Sequence, residues 1–223
     1  MAIKPILFNT EMVRAILDGK KTCTRRIVKG AIPDDAMWGY TMFTPKGYIS
    51  CRGTFPVGYG EKFFKLPYQK GDILYVRETW QFLYELDGNE QPVEETGKYY
   101  YAATDITLFN TYVDENGAKH DYVPWRPSIH MPKEAARIWL KVTDVRAERL
   151  KELTEDGAKA EGANQKNGKN VGWEEKMRRT AIERFAEIWN STIKKSDLDR
   201  YGWDANPWVW VIEFERCEKP KEE

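Results

Sequence analysis

The chain has 223 residues, long for one ordinary domain and short for two, so a single domain with insertions is expected. Lysine plus arginine and aspartate plus glutamate each total 35, which excludes a protein that coats nucleic acid by bulk charge and confines any polyanion site to a local patch. Cys23, Cys51 and Cys217 form no CxxC pair, and there are 2 histidines, so no zinc ribbon, disulfide framework or multi-histidine metal site is indicated and no cofactor is expected.

The first segment, "NTEMVRAILDG", reads as a short helix. Asn9 or Thr10 can cap it, Met12, Val13, Ile16 and Leu17 form its apolar face, and Gly19 can supply a left-handed terminus. "TCTRRIV" follows as a strand. Residues 30–70 have no sustained period and read as an irregular excursion with one strand at "GYISC". "KGDILYVRETW" and "KYYYAAT" are strands, with polar loops at "ELDGNEQPVEETG" and "YVDENGAKHDY". "ARIWLKVTDVRAERL" is a long strand. "LTEDGAKAEG" is a short helix capped by Thr154 and ended by Gly162, and 163–172 is a linker.

"WEEKMRRTAIERFAEIWN", 173–190, is the clearest helix, because Trp173, Met177, Ala181, Phe185 and Trp189 recur every four residues. The last strand, "NPWVWVIEFERCE", puts Trp208, Trp210, Ile212 and Phe214 on one face and Val209, Val211 and Glu213 on the other. Strands outnumber helices, so the class is α+β, with a small curled sheet or barrel and helices at its ends. Insertions are placed around 30–70, 84–120 and 163–172. "MAIKPILFNT" has no signal-like apolar core, and no run of about 18 apolar residues occurs, so a cytoplasmic chain without a membrane partner is expected.

One stretch concentrates charge. "LDGKKTCTRR" sets Lys20, Lys21, Arg25 and Arg26 around Thr22, Cys23 and Thr24. Either these are surface charges at a strand start, or a lysine and a threonine do chemistry beside an anion. A threonine hydroxyl needs a base, and a lysine becomes one only through burial or a neighbouring cation. In "YVRETW", strand alternation would put Arg77 and Thr79 on one face and Glu78 and Trp80 on the other. Arg77 suits a phosphate and Glu78 an exocyclic amine, or Glu78 belongs to an internal ion pair. In the proline-rich "WRPSIHMP", Trp125, Arg126, Ser128 and His130 suit stacking on a nucleobase, or Trp125 plugs one end of the fold.

"GKKTCTRR" resembles the signature of the ASCH domain, a small β-barrel family related to PUA domains, whose pattern is G-x-K-x-x-E-x-R. Here the pattern is met by Gly19, Lys21 and Arg26, with Thr24 in place of its Glu. "KPILFNTEMVRAILDGKKTCTRR", "YQKGDILYVRETW", "WRPSIHMPKEAARIWLKVTDVRAERL", "LTEDGAKAEG" and "NPWVWVIEFE" look like the longer ASCH proteins of bacteriophages and prophages. The resemblance implies a PUA-like barrel with flanking helices and inserted loops, in a bacterial or phage-infected cell.

Thr24 is shared with a branch of small ASCH enzymes that hydrolyse the acetyl amide of N4-acetylcytidine. The resemblance therefore implies a catalytic Lys21, Thr24 and Glu161, with Glu161 matched within "LTE…AE". The candidate substrate-binding set, read from the residues themselves, is Arg25, Arg26, Arg77, Glu78, Trp80, Trp125, Arg126, Ser128 and His130. The implied partner is a modified nucleoside or RNA, and the chain is about double the length of that branch. A binding module for RNA or a modified base without catalysis, and a ribonuclease, remain the alternatives. If Thr24 faces a polar pocket, its replacement by alanine is expected to leave stability almost unchanged.

Overall fold

A computed structural model of the protein describes residues 1–87, 89, 91–105, 112–113, 119–120, 124–163 and 180–221. The structure is mixed α+β and strand-rich. Its strands are β1 (Ile3–Leu7), β2 (Cys23–Ile27), β3 (Met37–Gly39), β4 (Tyr48–Phe55), β5 (Gly58–Lys65), β6 (Ile73–Arg77), β7 (Trp80–Leu86), β8 (Pro92–Tyr101), β9 (Tyr112–Val113), β10 (Lys119–His120), β11 (Trp139–Arg149) and β12 (Trp208–Cys217). Its helices are α1 (Thr10–Leu17), α2 (Glu155–Ala160), α3 (Ala181–Thr192) and α4 (Leu198–Tyr201). The chain forms two compact units. One comprises Met1, Gly19–Asp72 and Lys141–Glu215, the other Ala2–Asp18, Ile73–Leu140 and Arg216–Glu223.

In the first unit β12 runs antiparallel to β2, with Ile212 opposite Thr24, Val211 opposite Arg25 and Trp210 opposite Arg26. Strand alternation then sorts the side chains. Val209 and Val211 join Leu150, Leu153, Ala158, Phe185 and Trp189 in one core, with Ile27 packed against it. Burying each Val, Leu or Phe side chain of this kind stabilises by about 1.5–3 kcal/mol. Trp208 and Trp210 instead meet the edge of Trp38, each with ring centroids 5.6 Å apart. Thr180 caps α3 in a reciprocal box with Glu183. The helical stripe expected over 173–190 is described from Ala181 onward; 173–179, and 164–172 of the expected linker, lie outside the described residues.

Residues 30–70, expected to be irregular, hold the antiparallel sheet β3–β4–β5. The hairpin turn at Pro56–Val57 carries none of the Asn-Gly or Asp-Gly signals that betray a two-residue turn, so the β4–β5 pair left no local mark. Ile49, Cys51 and Phe55 of β4 are buried.

In the second unit β1 runs parallel to β6, and β7 runs antiparallel to β8. Asn9 caps α1 by accepting from the Met12 N–H, and Gly19 at φ +70 follows it. Ile73, Tyr75, Trp80, Met131, Ala135, Ala136 and Trp139 form the core. "KGDILYVRETW" is not one strand. β6 stops at Arg77 and the chain bends at Thr79 before β7 begins at Trp80, while Glu78 and Trp80 are buried and Arg77 and Thr79 half-buried. Much of the polar stretch expected as a loop at 85–97 is instead the β7–β8 hairpin.

No ladder closes on itself among the described residues. Closure needs the end strands to pair, and the three-stranded sheet ends at β3 and β5. A closed barrel, one of the two forms expected above, is therefore absent among the described residues, and the strand-rich α+β class stands. No described helix is long and apolar enough to cross a membrane.

Candidate active site

The densest group of buried charges lies in the first unit. Gly19 leads the chain into an extended segment that is sewn to the end of α2: Lys21 and Glu161 form an antiparallel bridge, and the Thr22 N–H donates to the Ala160 carbonyl at 2.8 Å. Thr154 caps α2 through the Gly157 N–H, and Gly162 at φ +86 turns the chain away just past Glu161. This local geometry aims two side chains at each other. Lys21 Nζ donates to Glu161 Oε2 at 2.6 Å and to the Glu161 carbonyl at 2.8 Å. Their side chains are 0% and 4% exposed.

The other Glu161 oxygen is also taken. Arg25 Nη1 donates to Oε1 at 3.3 Å, while Arg25 Nε and Nη2 donate to Glu148 Oε1 at 3.2 and 2.5 Å. Arg146 continues the chain of alternating charge, bonding Glu148 Oε2 at 3.4 Å, Glu213 at 2.5 Å and Asp144 at 3.1 Å. Arg25 is buried and lies 5.9 Å from the Phe185 ring centroid. Much of the positive charge in "LDGKKTCTRR" is thus neutralised inside the protein by acids that sequence spacing did not single out, Glu148 above all. Nothing in "VRAERL" distinguishes that glutamate from a solvated one.

Thr24 is 1% exposed, and its Oγ1 accepts from Arg26 Nη1 at 3.0 Å. Arg26 also donates to the Arg25 carbonyl. Burial pushes the Arg26 guanidinium below its ordinary value, and the Glu161 carboxylate and Tyr68 oppose that shift. Thr24 therefore sits in a tight polar contact rather than against open solvent, and the near-zero stability cost expected for its replacement does not follow. Losing this charge-assisted hydrogen bond, one of two that Arg26 Nη1 makes, costs about 1–3 kcal/mol. The neighbouring Cys23 thiol is pushed up to about 12, chiefly by burial and next by Glu161.

The remaining expected site residues, Arg77, Glu78, Trp80, Trp125, Arg126, Ser128 and His130, belong to the second unit. Glu78 is 1% exposed and makes two bonds of 2.9 Å with Arg137, the internal ion pair weighed above. Arg137 also lies 3.9 Å from the Tyr101 ring centroid. Burial raises the Glu78 carboxyl above its ordinary value, with Arg137 pulling against it. Arg77 Nη1 donates to the Ile129 carbonyl, and its guanidinium lies 5.6 Å from the Tyr75 ring centroid. Arg126 pairs with Trp80 through the backbone and lies 5.4 Å from its ring centroid. Trp125 and Ser128 are half-buried, and His130 is exposed at the end of a single 3-10 turn.

Among the described residues no group of three His, Cys, Asp or Glu side chains could hold a metal ion. No protein-family model, curated protein or solved structure matches the chain.

Proposed function

We propose that this chain is a PUA-like ASCH protein of a bacterial or phage-infected cytoplasm that removes the acyl group from an N4-acylated pyrimidine nucleoside. The observation that carries the reading is the contact between Lys21 and Glu161, which lie 140 residues apart and which only the resemblance links in sequence. The Arg26 bond to Thr24 Oγ1 supports it further, because a guanidinium there favours a developing alkoxide.

The chemistry runs through Thr24. The step requires Lys21 to pass a proton to Glu161 and its freed amine to come within hydrogen-bond reach of Thr24 Oγ1 and take the hydroxyl proton. Oγ1 then attacks the acyl carbon, forming a C–O bond and an oxyanion. That intermediate collapses by breaking the C–N4 bond, and N4 leaves as the neutral amine with the proton returned by Lys21. Water then hydrolyses the threonine ester, releasing the carboxylic acid and the free hydroxyl.

Incubation of the protein with N4-acetylcytidine, followed by chromatography, tests the reading. Cytidine and acetate in equal amounts are expected. Unchanged substrate at stoichiometric enzyme would overturn it.

A second reading is binding of RNA or a modified base without catalysis. It is favoured by Arg77 and Arg126, which pair with no carboxylate among the described residues and back onto Tyr75 and Trp80. Such binding would persist when hydrolysis is absent.

A further inference from the structure

We propose that β5 pairs antiparallel with β5 of a second copy of this chain, about a two-fold axis at Phe63. β5 is an end strand of its sheet, and no described residue bonds its outer side. The direction of its backbone groups follows from the hairpin. Phe55 and Gly58 close a two-residue turn and exchange backbone bonds, so even-numbered residues face β4. The Leu66 N–H bond to the Gly47 carbonyl keeps that parity. The N–H and C=O groups of Tyr59, Glu61, Phe63 and Lys65 therefore point outward, and all four side chains are exposed, Tyr59 by 66% and Phe63 by 39%. Such an edge is a template for another strand.

Charge selects both occupant and register. With the axis at Phe63, each Glu61 faces Lys65 of the other copy, twice by symmetry, and the two Phe63 rings meet. The neighbouring registers fail. An axis at Glu61 sets Glu61 against Glu61, an axis at Lys62 sets Lys62 against Lys62, and an axis at Phe64 sets Glu61 against Pro67 and Lys65 against Phe63, so that neither charge meets its opposite. Opposed unlike charges and aromatic pairs stabilise a cross-strand contact, and like charges destabilise it. In this register the Lys65 side chains that would otherwise discourage edge pairing each meet an acid of the same strand in the other copy. Met37 on β3 is also exposed, on the mixed face that carries Arg52, Tyr59, Glu61, Phe63 and Lys65, so pairing would continue that face across both copies.

Sedimentation equilibrium of the full chain at low and high salt tests the proposal, with circular dichroism to verify folding. A reversible dimer is expected, weaker at high salt because its charge pairs are exposed. Lys65→Glu should raise the dissociation constant about tenfold or more. Its residual association should strengthen with salt, since like charges then face each other. Phe63→Asp should give monomer. The exchanged variant carrying both Glu61→Lys and Lys65→Glu should recover dimerisation. Glu61 also accepts from Ser50, so the salt response of Lys65→Glu keeps the test decisive if the exchanged variant is unstable. A wild type that stays monomeric up to its solubility limit, or a dimer unmoved by Lys65→Glu and by Phe63→Asp, would overturn the proposal. Neither outcome depends on hydrolase activity.

Discussion

Lys21 and Glu161 touch twice, through the carboxylate at 2.6 Å and through the backbone carbonyl at 2.8 Å, in a site that excludes water from both side chains. A buried pair of this kind is costly to break from one side, because the survivor is left as an uncompensated charge.

The first prediction follows from that asymmetry. Lys21→Met or Glu161→Gln alone should lower the free energy of unfolding by about 3–5 kcal/mol. The double variant should lose less than the sum, with a coupling of at least ~1 kcal/mol, since Arg25 keeps Glu148 as a partner. Urea unfolding of the four proteins measures the cycle. Additive losses would mean that the two groups do not compensate each other.

Glu78 gives a pH prediction with a definite sign. Its carboxyl is raised in the folded protein, chiefly by burial and against the pull of Arg137. The folded state therefore holds the Glu78 proton more tightly than the unfolded chain. This contribution to stability is full below the unfolded value of about 4.3 and is lost as pH rises through the raised folded value. Glu78→Gln removes it. The stability of wild type relative to Glu78→Gln should accordingly fall as pH rises through that window, as followed by urea midpoints. A rise over the same range would show that Arg137 outweighs burial.

What sequence could reveal divides along the chain. The caps at Asn9 and Thr154 and the glycine termini at Gly19 and Gly162 act within four residues, and each stands where local chemistry put it. The alternation of β12 also carried through, because Val209 and Val211 must bury on one side while Trp208 and Trp210 pack on the other. Partners brought in from afar left no local mark. Glu148 is 123 residues from Arg25, and Arg137 is 59 from Glu78, and nothing in either neighbourhood distinguishes a buried acid or arginine from a surface one. The bend at Thr79 was hidden by β-formers on both sides.

The cysteines offer a check on packing. Cys23 and Cys51 are buried, with thiols pushed up to about 12 and about 11, each chiefly by burial, whereas Cys217 is half-buried. Iodoacetamide attacks thiolates, so at neutral pH it should modify Cys217 first and reach Cys23 and Cys51 only in denaturant. Peptide mass spectrometry with and without urea distinguishes the sites. Rapid native labelling of Cys23 would mean that the end of α2 opens readily and exposes the Lys21–Glu161 pair.

The decisive series is at Thr24. Its hydroxyl is buried and holds an Arg26 N–H, so Thr24→Ala should cost about 1–3 kcal/mol in stability and assays must be run well below the melting temperature of the variant. If Thr24 is the nucleophile, no other group replaces it, and kcat/KM for N4-acetylcytidine should fall at least about a thousandfold. Thr24→Ser keeps the oxygen and should retain measurable turnover. Thr24→Val, close to threonine in shape, should match alanine in activity, which separates loss of the hydroxyl from loss of volume. Ligand affinity should change little across the series, because the proposed role acts on the reacting carbon rather than on the rest of the nucleoside. Hydrolysis by Thr24→Ala within tenfold of wild type would remove Thr24 from the mechanism. A wild type that binds RNA or a modified base, hydrolyses no acylated pyrimidine and is indifferent to Thr24→Ala would instead establish a recognition module, with the Lys21–Glu161–Arg25–Glu148 chain serving as its buried frame.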